Sequence, residues 1–185
     1  MKKLFALLLC IAMLATLIGC AGNDDETTAA PETTTEEITT EEPTSEENKE
    51  PATAKGDEMS LLEIVDELYK GYSEEDLPAL ETNELTDPET FEWITFIPYV
   101  DGYEAVCSEP MMSSIAHSVV LVRVPDGTDV ESVRSAIEAN LNPAKWVCVE
   151  AEKTAVIAHN NTILLIMSTV ERVDTISANF NALWS

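Results

Sequence analysis

Few side chains in this sequence have the types and spacing that covalent catalysis requires. The chain of 185 residues contains two histidines, His117 and His159. Ser113 and Ser114 lie close to His117 in the sequence. A catalytic serine, however, needs a base and an acid that converge on it from separate parts of a fold, and no G-x-S-x-G elbow is present. We therefore do not predict serine hydrolysis, and we expect the protein not to be an enzyme.

The four cysteines give no metal-binding pattern, because no C-x-x-C pair occurs among them. We expect no metal and no cofactor. Cys107 and Cys148 both fall in apolar, strand-like sequence. In an exported protein they could form a disulfide that closes a loop of about 40 residues, or they could be two buried thiols. The sequence leaves both interpretations open.

Cys20 differs from the other cysteines because it ends a leader. Lys2 and Lys3 precede an apolar run over residues 4–18. As a helix this run would be roughly 22 Å long, shorter than the ~30 Å hydrocarbon core of a bilayer. A basic and then apolar leader of this length is typical of a cleaved signal peptide. Leu17-Ile18-Gly19-Cys20 resembles the bacterial lipobox; the alternative is a secreted protein with a coincidental cysteine.

The lipobox resemblance implies a lipoprotein. Residues 1–19 would be its signal peptide, and Cys20 would become the N-terminus and carry a diacylglyceryl group on its thiol. Two acyl chains anchor a protein stably, whereas one chain gives only marginal, reversible binding. We therefore expect the protein to lie on the outer face of the cell membrane, attached to the lipid bilayer through Cys20.

Composition divides the rest of the chain into two parts. Residues 20–56, which comprise Cys20 and a stretch rich in Thr, Glu and Pro without aromatic residues, are predicted to form a disordered acidic tether. Residues 57–185 are predicted to form one globular domain. The net charge of −25 would repel phosphate, which argues against a nucleic-acid partner, and it favours a soluble monomer.

Periodicity within residues 57–185 predicts a helix followed by two strand–strand–helix units. Ser60 and Glu63 form a capping-box pattern before the first helix, and similar patterns start at Thr128 and Ser168. The segment 91–97 fits a strand or a helical turn. The predicted strands cover 103–108, 118–124, 154–159 and 162–167, and the helix between the two pairs covers 130–141. This order predicts an α+β fold, a two-layer sandwich with a four-stranded, mostly antiparallel sheet and helices packed on one face.

Several of these segments together resemble a known but uncharacterised family. They are Glu109-Pro110-Met111-Met112-Ser113-Ser114, the valine-rich strand, the helix 130–141 and the closing hairpin and helix. The family consists of lipoproteins from Gram-positive anaerobic bacteria with a C-terminal domain of unknown function. The resemblance covers residues 57–184 and implies no activity. Its members often have an acidic residue at His117-Ser118 and a glycine at Asn160-Asn161, so a role that depends on that acidic residue does not carry over.

The segment Pro110, Met111, Met112, Ser113 and Ser114 is the candidate interaction loop. Two adjacent methionines can adapt to different partners, and a loop between two strands is presented by a rigid scaffold. The alternative is that one methionine fills the core beneath the hairpin. We expect a non-enzymatic, membrane-anchored module that binds an envelope protein through this loop. The second hypothesis, a small-ligand-binding lipoprotein associated with transport, would require a deep pocket.

Overall fold

The computed structural model of the protein describes residues 53–185. The predicted signal peptide 1–19, the predicted lipidation site Cys20 and the predicted tether as far as residue 52 lie outside the described residues. Within residues 53–185, no helix combines the length and the apolar character needed to cross a membrane.

Helices and strands alternate irregularly along the described residues. The helices are α1 (Lys55–Glu58), α2 (Leu61–Leu68), α3 (Pro88–Thr95), α4 (Val130–Asn140) and α5 (Val170–Ala182). The strands are β1 (Leu80–Glu84), β2 (Glu104–Pro110), β3 (Ser118–Arg123), β4 (Lys153–His159) and β5 (Thr162–Ser168). The strands form one sheet in the order β1-β2-β3-β5-β4, and every neighbouring pair is antiparallel. The predicted α+β class and antiparallel sheet are confirmed.

β3 lies in the centre of the sheet, as its run of β-branched residues predicts. Val120 pairs with Cys107 of β2 on one side and with Leu165 of β5 on the other. Residues 118–122 are buried on both faces. The hairpin between β4 and β5 turns at Asn160, whose φ of 48° is the positive value that the Asn-Asn pair predicted.

The sheet has five strands, whereas the sequence predicted four. The additional strand, β1, reads Leu-Glu-Thr-Asn-Glu, and residues 81–84 are exposed. An edge strand with one neighbour can be polar, so it lacks the apolar alternation by which strands are recognised. The ambiguous segment 91–97 belongs largely to α3, which begins at Pro88 after the N-cap Asp87.

Helices lie on both faces of the sheet, whereas the sequence predicted them on one. Val119 and Leu121 of β3 pack in a core cluster with α2 and α5. Val120 and Val122, which point the other way, pack in a second cluster with α3 and α4. Because β3 and β5 are apolar at successive positions, each face of the sheet must be covered, and the fold has three layers.

Helix capping follows the sequence at α2 and departs from it by one residue at α4. The Ser60 hydroxyl accepts from the Glu63 backbone N–H at 3.3 Å, and the Glu63 carboxylate accepts from the Ser60 N–H at 2.8 Å. The sequence predicted a capping box that starts at Thr128, but the N-cap of α4 is Asp129, whose carboxylate accepts from the Ser132 N–H at 3.1 Å. Aspartate is at least as good a cap as threonine, so the helix starts one residue later.

The folded domain begins earlier than the predicted boundary at residue 57, because Lys55 and Gly56 belong to α1. Gly56 is buried and donates its N–H to the carbonyl of Leu183 at 3.0 Å. A Cβ atom at Gly56 would lie 2.4 Å from Trp184 Cζ2. The indole N–H of Trp184 donates to Asp57 at 2.8 Å. The absence of a side chain at Gly56 therefore allows Leu183 and Trp184, which follow α5, to pack closely against the start of the domain.

Substitution of Gly56 by Ala should destabilise the domain through this contact. Since the added methyl group overlaps an aromatic ring, we expect a loss of about 1–3 kcal/mol in the free energy of unfolding, measured by urea denaturation. In a Trp184→Ala background the ring is absent, and Gly56→Ala should then have a much smaller effect. An equal loss in both backgrounds would show that the contact does not limit the substitution.

Candidate functional site

Met111 and Met112 follow directly after β2 and are both strongly exposed. Their exposed fractions are 74% and 61%. Pro110 is the last residue of β2, and the Met111 N–H donates to the carbonyl of Ala79 at 3.3 Å. Ser113 is exposed as well. The alternative interpretation, in which a methionine fills the core, is therefore wrong for both residues.

The segment 142–148, which follows α4, lies against this loop. The Val147 N–H donates to the carbonyl of Ser113 at 3.1 Å. Val147 is itself 62% exposed. We call Met111, Met112 and Val147 the methionine patch. Large contiguous exposed apolar patches mark sites of interaction with other molecules, which makes these three side chains a candidate site.

Lys145 fastens the segment 142–148 to the sheet. Its side chain is only 4% exposed, and its Nζ donates to Glu109 Oε1 at 2.5 Å and to the Ser118 hydroxyl at 3.2 Å. Ser118 donates to the same Glu109 oxygen at 2.6 Å. The Lys145 Nζ also lies 5.5 Å from the ring centre of Trp146. We call Lys145, Glu109 and Ser118 the lysine cluster.

The lysine cluster positions the loop and is poorly suited to catalysis. A serine close to a lysine amine can act as a nucleophile when the lysine serves as base and a substrate can reach the hydroxyl. Here Ser118 is fully buried, and its hydroxyl donates to Glu109. Glu109 also forms an ion pair with Lys145. The three side chains therefore hold the end of β2, the start of β3 and the segment 142–148 together.

Sequence reasoning missed the lysine cluster. Glu109 is one of 35 acidic residues in the chain, so nothing in the sequence singles it out. Lys145 is 36 residues away from it in the sequence. The available signal was a single cation beside an aromatic residue, Lys145-Trp146, which does not identify a partner.

His117 belongs to a second buried polar group on the other face of the sheet. Its Nε2 lies 3.0 Å from the Tyr69 hydroxyl and its Nδ1 lies 2.9 Å from the Ser168 hydroxyl. The Tyr69 hydroxyl donates to Ser108 at 3.1 Å. We call these four side chains the histidine network. Burial, with a smaller contribution from the charge of Arg172, lowers the pKa of His117 to about 4. The imidazole is therefore neutral at neutral pH.

The sequence places Ser113 and Ser114 close to His117, but the histidine network contains neither serine. Ser113 and Ser114 are not among the hydrogen-bond partners of His117. Ser168 was predicted to cap α5, but its hydroxyl contacts His117, and the N-cap of α5 is Thr169. His159 lies at the opposite end of the sheet, where its ring stacks on Trp184 with ring centres 5.1 Å apart.

Cys107 and Cys148 are both free thiols, so the possible disulfide is not formed in this structure. Cys107 is buried in the core between the sheet and α3 and α4. Burial, and secondarily the charge of Glu109, raises the pKa of its thiol to about 11. Cys148 is exposed and has a positive φ of 65°. The alternative of two buried thiols therefore holds for Cys107 only.

The role of Lys145 can be tested by removing its charge. In Lys145→Met the Glu109 carboxylate, which is 25% exposed, loses its charged partner, and we expect a loss of about 2 kcal/mol in unfolding free energy. Removing the carboxylate as well, in Lys145→Met with Glu109→Gln, should restore part of that loss. Lys153→Met is the matched control, because Lys153 pairs with Asp174 at the surface and has 41% of its side chain exposed. A control effect as large as that of Lys145→Met would contradict this role.

The histidine network predicts a pH dependence of stability. The pKa of His117 is about 4 in the folded state against 6.5 in the unfolded chain. Its contribution is therefore complete above pH 6.5 and is lost as the pH falls towards 4, since the unfolded state then binds the proton. We expect a loss of about 2 kcal/mol between pH 7 and pH 5, measured by urea denaturation. His117→Gln should lack this component, and His159→Gln should retain it. An unchanged pH slope in His117→Gln would refute the assignment.

The chain matches no protein-family model, no curated protein and no solved structure. Membership of the family of lipoproteins from Gram-positive anaerobic bacteria therefore stays a prediction.

Proposed function

We propose that the protein is a lipid-anchored extracellular module that binds a protein of the cell envelope through the methionine patch. The observation that carries the proposal is the exposure of Met111, Met112 and Val147, each more than half exposed. Thioether side chains have several rotatable bonds and a polarisable sulfur, so they fit partner surfaces of different shape.

Rigid support under the patch favours binding. Met111 follows Pro110, the last residue of β2, and the neighbouring segment is held by Lys145, which contacts both Glu109 and Ser118. A preordered backbone loses less conformational entropy when a partner binds. Flexible methionines on a fixed backbone therefore combine adaptable contacts with a low ordering cost.

The net charge of the chain argues that the partner is a different protein and not a second copy of this chain. The chain has a net charge of −25, so two copies would repel each other over distances within the Debye length. A partner with a basic rim around an apolar centre would instead be attracted. We therefore propose a monomeric protein whose partner is a different, less acidic envelope protein.

The leader supports the anchoring. Lys2, Lys3, the apolar run 4–18 and Cys20 follow the pattern of a bacterial lipoprotein. The polar segment between Cys20 and Lys55 would act as a spacer. The alternative of a small-ligand receptor has less support, because a depression of about 400 Å³ beside α2, lined by Leu61 and Arg123, is open to solvent.

The patch can be tested by photo-crosslinking in intact cells. A photoreactive amino acid placed at Met112 should give one defined protein adduct, since the partner covers this position. The matched control carries the same group at Leu62, which is 42% exposed on α2. Met111→Glu, in the Met112-labelled chain, should abolish the adduct while changing stability by less than about 0.5 kcal/mol. Identical adducts from both positions, or an adduct that survives Met111→Glu, would refute the proposal.

Cys20→Ala provides the test of anchoring in the same cells. Since the acylated residue is lost, the chain should carry no acyl chains and should be either an unprocessed precursor that keeps its leader or a released protein. Acylation that persists in this variant would exclude Cys20 as the lipid attachment site.

A further inference from the structure

A groove separate from the methionine patch runs between α3 and the end of α4. It is a shallow surface groove of about 690 Å³ that is open to solvent, so it suits an extended ligand rather than an enclosed small molecule. The residues that line it include Trp93, Glu89 and Glu92 of α3, Phe96 directly after that helix, and Asn140 and Asn142 at and after the end of α4. The segment 142–148 contributes to both surfaces, because Val147 belongs to the methionine patch and Asn142 and Lys145 line the groove.

Trp93 is the exposed aromatic residue of the groove. α3 turns Phe91 and Ile94 into the core, so Trp93 projects away from the sheet with 64% of its surface exposed. Phe96 is the C-cap that follows α3, and its φ of 63° turns the chain away from the helix. The ammonium group of Lys145 lies 5.7 Å from the Phe96 ring centre. The indole is therefore the available flat apolar surface along this groove.

The two sides of the groove offer different hydrogen-bonding groups. Glu89 and Glu92 are exposed carboxylates that only accept, and within residues 53–185 neither takes part in an ion pair. Asn142 uses its Oδ1 to accept from the Ala144 N–H at 3.0 Å, which leaves its Nδ2 as a donor. Asn140 uses its Nδ2 to donate to the Ala136 carbonyl at 2.8 Å, which leaves its Oδ1 as an acceptor.

These groups restrict the chemistry of a ligand. An anion would meet Glu89 and Glu92, and the only cation of the groove, Lys145, is 4% exposed and paired with Glu109. A simple ammonium ligand has donors only and would leave the Asn142 donor unmatched. The groove best matches a ligand with donors and acceptors along its edges and one apolar face for Trp93.

We propose that this groove binds an uncharged oligosaccharide of N-acetylated sugars. A pyranose ring presents an apolar face of C–H groups that can lie flat on the indole of Trp93. Its hydroxyls donate to Glu89 and Glu92 and accept from Asn142, because each hydroxyl does both. The acetamido group adds an N–H donor and a carbonyl acceptor. The biological source, a glycan of the cell wall, depends on the extracellular location proposed above.

The probe is the hexamer of N-acetylglucosamine, titrated by calorimetry into the full chain purified in detergent micelles. We expect saturable binding that Trp93→Ala weakens at least tenfold and Trp93→Phe weakens less. Asn142→Asp replaces the donor by an acceptor and should also weaken binding about tenfold. Because Trp93 and Asn142 are exposed, their substitution should not unfold the domain, and circular dichroism should give the same spectrum for the variants as for the unchanged chain.

Sugar binding and formation of the photo-adduct are separate measurements, so the oligosaccharide site and the proposed partner site can fail independently. Met112→Glu should retain sugar binding, whereas Trp93→Ala should retain the photo-adduct at position 112. Three results would overturn the oligosaccharide site: no saturable heat up to millimolar hexamer, affinity unchanged by Trp93→Ala, or tighter binding of a lysine tripeptide than of the hexamer.

Discussion

The fold depends on two strands, β3 and β5, that are buried on both faces. Every residue of β5 and residues 118–122 of β3 are buried. Burial of one aliphatic side chain contributes about 1.5–3 kcal/mol, but only when the opposite layer excludes water from it. A single helix layer would leave half of these side chains exposed. The chain therefore needs α2 and α5 on one face and α3 and α4 on the other.

Polar side chains secure one end of this sheet from both faces. His117 and Ser118 are successive residues, so their side chains point to opposite sides. His117 bonds Tyr69 and Ser168 on the side of α2 and α5. Ser118 bonds Glu109 and Lys145 on the other side. Buried polar groups are costly without partners, so each group favours a single arrangement of the elements that supply it.

Both candidate binding surfaces lie beside this secured end of the sheet. The segment 142–148 has no regular secondary structure, yet Lys145 holds it to the strands that flank the methionine loop. Val147 then lies beside Ser113, and Asn142 lines the groove of Trp93. One buried cation thus positions two exposed surfaces. A rigid frame with variable exposed side chains is a common way for a small domain to support binding.

The sequence by itself determined the local elements of the domain. The central position of β3, the β4–β5 hairpin with positive φ at Asn160 and the capping box of Ser60 all depend on neighbouring residues, which the sequence displays directly. Only the tertiary structure decided β1, because its polar residues are fixed by pairing with β2. It also decided the second helix layer, the exposure of both methionines and the pairing of Lys145 with Glu109. These features depend on contacts between residues far apart in the chain, and periodicity has no information about such contacts.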